Sequence, residues 1–194
     1  PFAGKTQKLM ALFPLGGQRG SAGKKNCYEC KPVDKVIDQR IITKAKQEYE
    51  TYNPDVYEKT FFDATTGGYV VTEKQRLAAA KTNKQETAKY KKEKDMCLVF
   101  AKGGNKIEHL SEKAGISSCD VTCNRMKADL KRTGSSEQIT RHAKYAIRQQ
   151  GAKMVLFQFD GWNAKMESAL KDVSKLKIHG KYFITGKENE IIDF

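Results

Sequence analysis

No stretch of this 194-residue sequence stays apolar for the roughly 18 residues that a membrane-crossing helix needs, so no such span is expected. Acidic residues are scarce: 23 Asp and Glu stand against 36 Lys and Arg, leaving a formal net charge of +13. That imbalance favours a polyanionic partner, with nucleic acid first, an anionic membrane surface second and an acidic protein third. The bland alternative is a basic, solvated surface. There are five cysteines, an odd count that does not suit a disulfide framework, and a reducing site of action is expected. Cys27-x-x-Cys30 and Cys119-x-x-x-Cys123 could combine as a four-thiolate zinc site, but no second C-x-x-C completes the usual spacing. The chain begins at Pro1 rather than Met, and "PFAGKTQKLMALFPLGG" is too weakly apolar and too Gly-rich for a signal peptide. The simplest expectation is a piece of a longer chain.

The 39% hydrophobic content is enough for a modest core, in one domain or a domain with a small appendage. Residues 1–32 are rich in Gly, Lys and Ser and predict a linker or loose arm. Val33, Val36, Ile37, Ile41, Ala45 and Tyr49 fall near helical spacing, so residues 33–52 predict an amphipathic helix. "TFFDATTGGYVV" predicts a hairpin turning between Asp63 and Gly68. A long basic helix is expected from Glu73 to Ala101, stopped by Gly103-Gly104. After it come the strand "NKIEHL", then two strands around Asn124-Arg125. A helix follows, with Ser135 and Gln138 as a capping box and Gly151 at its end. The buried strand "AKMVLFQF", a helix over 163–177 and the strand "KYFIT" complete the order. The strand–helix–strand units require parallel pairing through right-handed crossovers, and the hairpin requires antiparallel pairing. The expected class is α/β: a mixed β-sheet flanked by helices. No internal repeat is present. The proposed boundary separates an arm over 1–59 from a domain over 60–194. The arm holds none of the candidate site residues and is expected to be dispensable for chemistry.

The stretch "CDVTCNRMKADLK" carries the chemistry. If Asn124-Arg125 is a two-residue turn, Asp120 lies directly opposite Asp129, with Lys131 on the same face. Two carboxylates about 5 Å apart, at an effective dielectric of about 20, repel by roughly 3 kcal/mol. A divalent cation between them would reverse that sign. Hard cations such as magnesium prefer oxygen ligands and often use one or two carboxylates plus water and phosphate oxygens. Lys131 could then stabilise charge on a phosphate. An exposed face with two aspartates and a lysine is the structural alternative. In the long helix, Tyr90, Glu93, Met96, Cys97 and Phe100 share one face, so Glu93 sits in an apolar stripe. A glutamate there is costly unless paired or bound to a cation. Glu86 is the alternate candidate.

This order of helix glutamate, first aspartate and Asp-x-Lys resembles the PD-(D/E)XK nuclease superfamily. More narrowly, residues 60–185 resemble the C-terminal tRNA nuclease domain of contact-dependent growth inhibition toxins, through "FDATTGGYVV", "SSCDVT…ADLKR" and "GAKMVLFQFD". The resemblance implies a restriction-endonuclease-like αβββαβ core. It implies Glu93, Asp120 and Asp129 as catalytic metal ligands and Lys131 as the catalytic lysine. Mg2+ would be the cofactor, with Mn2+ or Zn2+ as alternatives. It further implies RNA cleavage, tRNA above all, and an immunity protein as partner, acidic to match a basic cleft. Delivery from a producing bacterium within a larger chain, and action in the target-cell cytoplasm, belong to the same expectation. Cys119 stands where many members have Pro.

Several further residues are candidates for nucleic-acid binding. Lys91 and Lys92 lie on the basic helix and could grip a phosphate backbone. Thr133, Ser135 and Ser136 could bind phosphate at the next helix N-terminus or serve only as caps. Arg141 and His142 follow on that helix. His142 with Lys131 could instead form a metal-independent RNase, although a structural histidine is the simpler role. Phe157, Phe159 and Trp162 are expected in the core rather than as stacking platforms. A non-catalytic nucleic-acid-binding or phage head-associated module is the third possibility. No RNP motif selects RNA over DNA.

Overall fold

The structure, a computed structural model, describes residues 38–194 apart from 113–114 and 116–117. Cys27, Cys30, the Gly-rich arm and the first residues of the 33–52 helix therefore lie outside it. Helix α1 (Gln39–Glu50) opens at Asp38, whose carboxylate accepts from the Arg40 amide, and it buries Ile42, Ala45 and Tyr49. Strands β1 (Tyr57–Phe62) and β2 (Tyr69–Glu73) form the expected hairpin. Its turn is tied by Asp63, whose carboxylate accepts from the Thr65 and Thr66 amides.

The long helix expected over Glu73–Ala101 is two helices, α2 (Lys74–Ala80) and α3 (Lys84–Lys102). The break has a local cause. The Thr82 hydroxyl donates back to the Ala79 carbonyl, while Asn83 is extended and its side chain caps the Glu86 amide. Asn83 thus starts a new helix instead of continuing the old one. The remaining elements are β3 (Lys106–His109), β4 (Val121–Cys123), β5 (Met126–Thr133), α4 (Ser136–Arg148), β6 (Met154–Phe159), α5 (Ala164–Lys175), β7 (His179–Ile184) and β8 (Ile192–Asp193). Only β8 was not anticipated.

The strands lie in chain order in one eight-stranded sheet. β2–β3, β5–β6 and β6–β7 pair parallel, each across a helical crossover, and the other neighbours pair antiparallel. The mixed α/β class with flanking helices is therefore as expected. Val121, Cys123, Ala128 and Leu130 pack with Met96, Cys97 and Phe100 of α3 on one face. Val155, Phe157 and Phe159 pack with Ile139 and Ala143 of α4 and Leu170 of α5 on the other. Trp162 lies against Phe159 and Tyr182 and joins that second core, as expected of it.

Two local expectations change. Ser135 precedes α4 but makes no side-chain cap, because its hydroxyl goes to the Glu137 carboxylate. Residue 60, the boundary drawn from sequence, falls inside β1. The reason is aromatic packing: Tyr49 of α1 packs with Tyr69 and Val71 of β2, against Tyr52, Tyr57 and Phe62. Elements assigned from sequence to the arm are thus part of the sheet domain.

Gly68 shows how closely α3 approaches this hairpin. A Cβ there would stand 1.8 Å from the Ala101 carbonyl oxygen, and that backbone cannot swing aside. Gly68→Ala is expected to destabilise the domain by about 1–3 kcal/mol or more, as overpacking does. Gly161→Ala, where a Cβ meets nothing within 4 Å, should be close to neutral. Urea unfolding of the two variants against the parent checks the contrast.

Candidate functional site

Asn124 and Arg125 have φ of 51° and 70°, the left-handed pair that a two-residue type I′ turn requires. Val121, Thr122 and Cys123 pair with Ala128, Lys127 and Met126, which is the register expected from sequence. Continued by one residue, it sets Asp120 against Asp129. Asp120 has left the ladder, and its Oδ2 accepts the Leu130 amide at 3.0 Å. Asp129 is 0% exposed, and neither of its carboxylate oxygens has a hydrogen-bond partner among the described residues. Lys131 forms an ion pair with Asp129 Oδ2 and donates to Gln150 Oε1 at 3.2 Å. Burial, and then the Asp129 carboxylate, push the Asp120 carboxyl up to about 8.

Glu93 of α3 approaches Asp120 from the other face of the sheet. One oxygen each of Glu93, Glu112 and Asp120 lie within 4.8 Å of one another. Asp129 is outside this convergent group, and Asp120 is the member common to both sets. Glu93 is also paired: Arg76 Nη2 donates to its Oε2 at 2.8 Å, and His109 Nε2 lies 3.0 Å from the same oxygen. Burial opposes the charge on Glu93, but the His109 and Arg76 hydrogen bonds together hold its carboxyl below the ordinary range. The alternate candidate, Glu86, stands 3.4 Å from Arg76 and serves that pairing.

Sequence reasoning missed Glu112, Arg76 and His109. Glu112 lies in the β3–β4 connection, and no local pattern marks it. His109 alternates inward with Ile107 along "KIEH", which was a readable sign of burial. Arg76 required knowledge of the α2–α3 break.

Alternation along β5 divides the basic residues. Lys131 shares a cleft of about 300 Å3 with Arg141, His142 and Tyr145 of α4. Burial, then Lys131 and Arg141, lower the His142 pKa from its ordinary value. On the α3 side, Lys89, Lys92, Glu93, Met96, Leu130 and Arg132 line a second cleft of about 440 Å3. Lys91 is exposed on α3. The Thr133 hydroxyl accepts the Ser135 amide within the turn, and the Ser135 and Ser136 hydroxyls both donate to Glu137. The chain's own carboxylate therefore holds the hydroxyls considered for phosphate. Cys119 belongs to the core on the α4 side and Cys123 to the core on the α3 side, so these two thiols do not converge.

No protein-family model matches this chain, and no curated protein matches it significantly. Among solved structures it is similar to a CdiA-CT/CdiI toxin and immunity complex from Burkholderia pseudomallei. The TM-score is 0.46 at 15% identity, covering 59% of this chain and 89% of that one. At that score the likeness carries no inference about activity or partners.

The raised Asp120 carboxyl sets a pH dependence. Its native value of about 8 exceeds the unfolded value of 3.8, so between them the unfolded state sheds a proton that the native state keeps. Stability of the metal-free protein should fall as pH rises across that window. Asp120→Asn keeps an oxygen for the Leu130 amide and removes the charge. In EDTA it should raise the thermal midpoint at pH 8 and have little effect near pH 4. An equal shift at both ends would show that the opposed carboxylates carry no charge penalty.

Proposed function

We propose that this chain is a metal-dependent endonuclease acting as a toxin domain, with RNA, and tRNA in particular, as its substrate. The observation that supports it most is the position of Asp120. It meets buried Asp129 beside Lys131 on one side and the Glu93–Glu112 pair on the other. An all-carboxylate set suits Mg2+ or Mn2+ better than zinc, which favours nitrogen and sulfur. The donor atoms present fit such an ion: Asp129 offers a buried oxygen, Oδ1, with no partner among the described residues, and burial beside Asp129 disfavours the Asp120 charge. Glu93 and Asp120 would hold it, with Asp129 and Glu112 adjacent. A bound divalent cation would supply a water of lowered pKa and polarise the scissile phosphate.

The chain's own groups do the rest. Lys131 holds a positive charge beside Asp129, placed to offset charge developing on the phosphate. Arg141 on one face and Lys92 on the other offer contacts to flanking phosphates. The net charge of +13 supports a polyanionic substrate and an acidic immunity protein as partner. Delivery within a larger chain from a producing bacterium, and action in the target-cell cytoplasm, complete the proposal on the sequence resemblance.

A second mechanism is favoured by one observation: Lys131 and His142 line the same cleft. There His142 would exchange the proton without a metal, and Lys131 would stabilise the transition state.

Total RNA and plasmid DNA incubated with Mg2+, Mn2+, Zn2+ or EDTA separate the two. Cleavage is expected only with a divalent cation, and undiminished cleavage in EDTA would transfer the case to His142. Lys131→Ala should lower turnover about a hundredfold, as loss of one transition-state charge donor does, with RNA affinity in Ca2+ little changed. Lys91→Ala with Lys92→Ala should weaken binding and flatten its salt dependence while sparing saturated turnover. Lost affinity with full turnover in Lys131→Ala would make that lysine a docking charge only.

A further inference from the structure

Arg76, Glu93 and His109 come from α2, α3 and β3, and they meet in a nearly closed site. Arg76 is 2% exposed and His109 1% exposed. Burying a guanidinium and an imidazole together is costly unless a carboxylate compensates them. Both donors point to the same oxygen, Glu93 Oε2, at 2.8 Å and 3.0 Å. The other oxygen, Oε1, accepts no hydrogen bond among the described residues; its ion-pair neighbour is Lys89 Nζ at 3.9 Å, which also pairs with Glu112. Tyr90, one turn before Glu93, fixes both donors. Its ring lies parallel to the His109 ring, with centroids 5.4 Å apart and planes at 10°, and the Arg76 guanidinium stands 5.5 Å from its centre. His109 Nδ1 finds no partner among the described residues, so the contact with Glu93 is that ring's one polar anchor.

We infer that Arg76 and His109 are positioning residues, which commit Oε2 of Glu93 and leave Oε1 as the oxygen free for a cation. Glu93 then offers a divalent cation one oxygen in a fixed direction. The inference rests on the metal-dependent function proposed above. Its physical basis is geometric. A carboxylate with both oxygens free can rotate and bind bidentately, whereas near-octahedral coordination of a small cation favours ligands that each contribute one atom at a set angle. Two donors on one oxygen remove that freedom, as outer-shell partners do for metal-binding carboxylates.

The test is Mn2+ binding to the full chain, followed by calorimetry and by the loss of the free-ion electron paramagnetic resonance signal. His109→Gln places an amide nitrogen near the former Nε2, whereas His109→Asn keeps a polar side chain too short to reach Glu93. His109→Gln should keep most of the Mn2+ affinity, and His109→Asn should lose about tenfold or more, the range for outer-shell partners. Thermal unfolding in EDTA should show both variants folded and alike, which a purely structural role for the histidine contact would not produce. If His109→Asn does not fold, Arg76→Lys decides, since it retains the charge but not the fork, and it too should weaken Mn2+. Unchanged Mn2+ affinity in folded His109→Asn or Arg76→Lys overturns the positioning role alone. Absence of Mn2+ binding by the unmodified chain overturns that role together with the metal-dependent function.

Discussion

The repulsion between Asp120 and Asp129 is the constraint on which the arrangement of this protein depends, and the hairpin is built so that it cannot relax. The turn between them is fastened at both residues. Asn124 Oδ1 accepts the Lys106 amide at 2.9 Å, and the Arg125 guanidinium donates to Glu48 of α1 at 2.8 Å. A slip of one residue would relieve the carboxylates but turn Val121, Cys123, Ala128 and Leu130 out of the α3 core. Burial of a valine or leucine side chain is worth about 1.5–3 kcal/mol, so Val121 and Leu130 alone match or exceed a repulsion of roughly 3 kcal/mol. Hydrophobic burial on one face thus enforces an unfavourable contact on the other.

Two carboxyls of the site, Asp120 and Glu93, are driven in opposite directions. Asp120 is buried beside Asp129, and burial and that carboxylate raise its carboxyl above the ordinary range. Glu93 is buried as well, but two donors reach it and it stays ionised. Desolvation acts on both; the hydrogen-bond partners decide the sign. Divergent titration of neighbouring carboxyls is a pattern shared by acid–base sites and by structural ion-pair networks.

What was legible in the sequence was whatever a local period or a turn residue dictates. The β4–β5 register followed from Asn124-Arg125, the class followed from the element order, and the core places of Phe157 and Phe159 followed from an unbroken apolar strand. The α2–α3 break was not legible, because "KTNKQ" lacks Gly and Pro and its cap depends on one asparagine side chain. The pairing of Glu93 was half legible. A glutamate in an apolar stripe needs a partner, but nothing local names Arg76, 17 residues earlier, or His109, 16 residues later. Glu112 was illegible for the same reason, since a loop side chain acquires its neighbours only through the path of the loop.

The two-sided sheet bears directly on which chemistry is feasible. Asp129 and Lys131 share the α4 face through their pairing with Val155 and Phe157, whereas Glu93 lies over the α3 face with Val121 and Leu130. A site that uses Glu93 and Lys131 together must therefore cross the sheet. Within the ladder that is impossible, because side chains alternate and the backbone intervenes. Asp120 makes it possible by standing just outside β4, where the strand has ended and a carboxylate can touch partners on both sides. The histidine mechanism needs no such crossing, since Lys131 and His142 already share a face. The position of one aspartate, one residue beyond the last ladder pair, is thus what separates a metal site spanning both faces from a cleft confined to one.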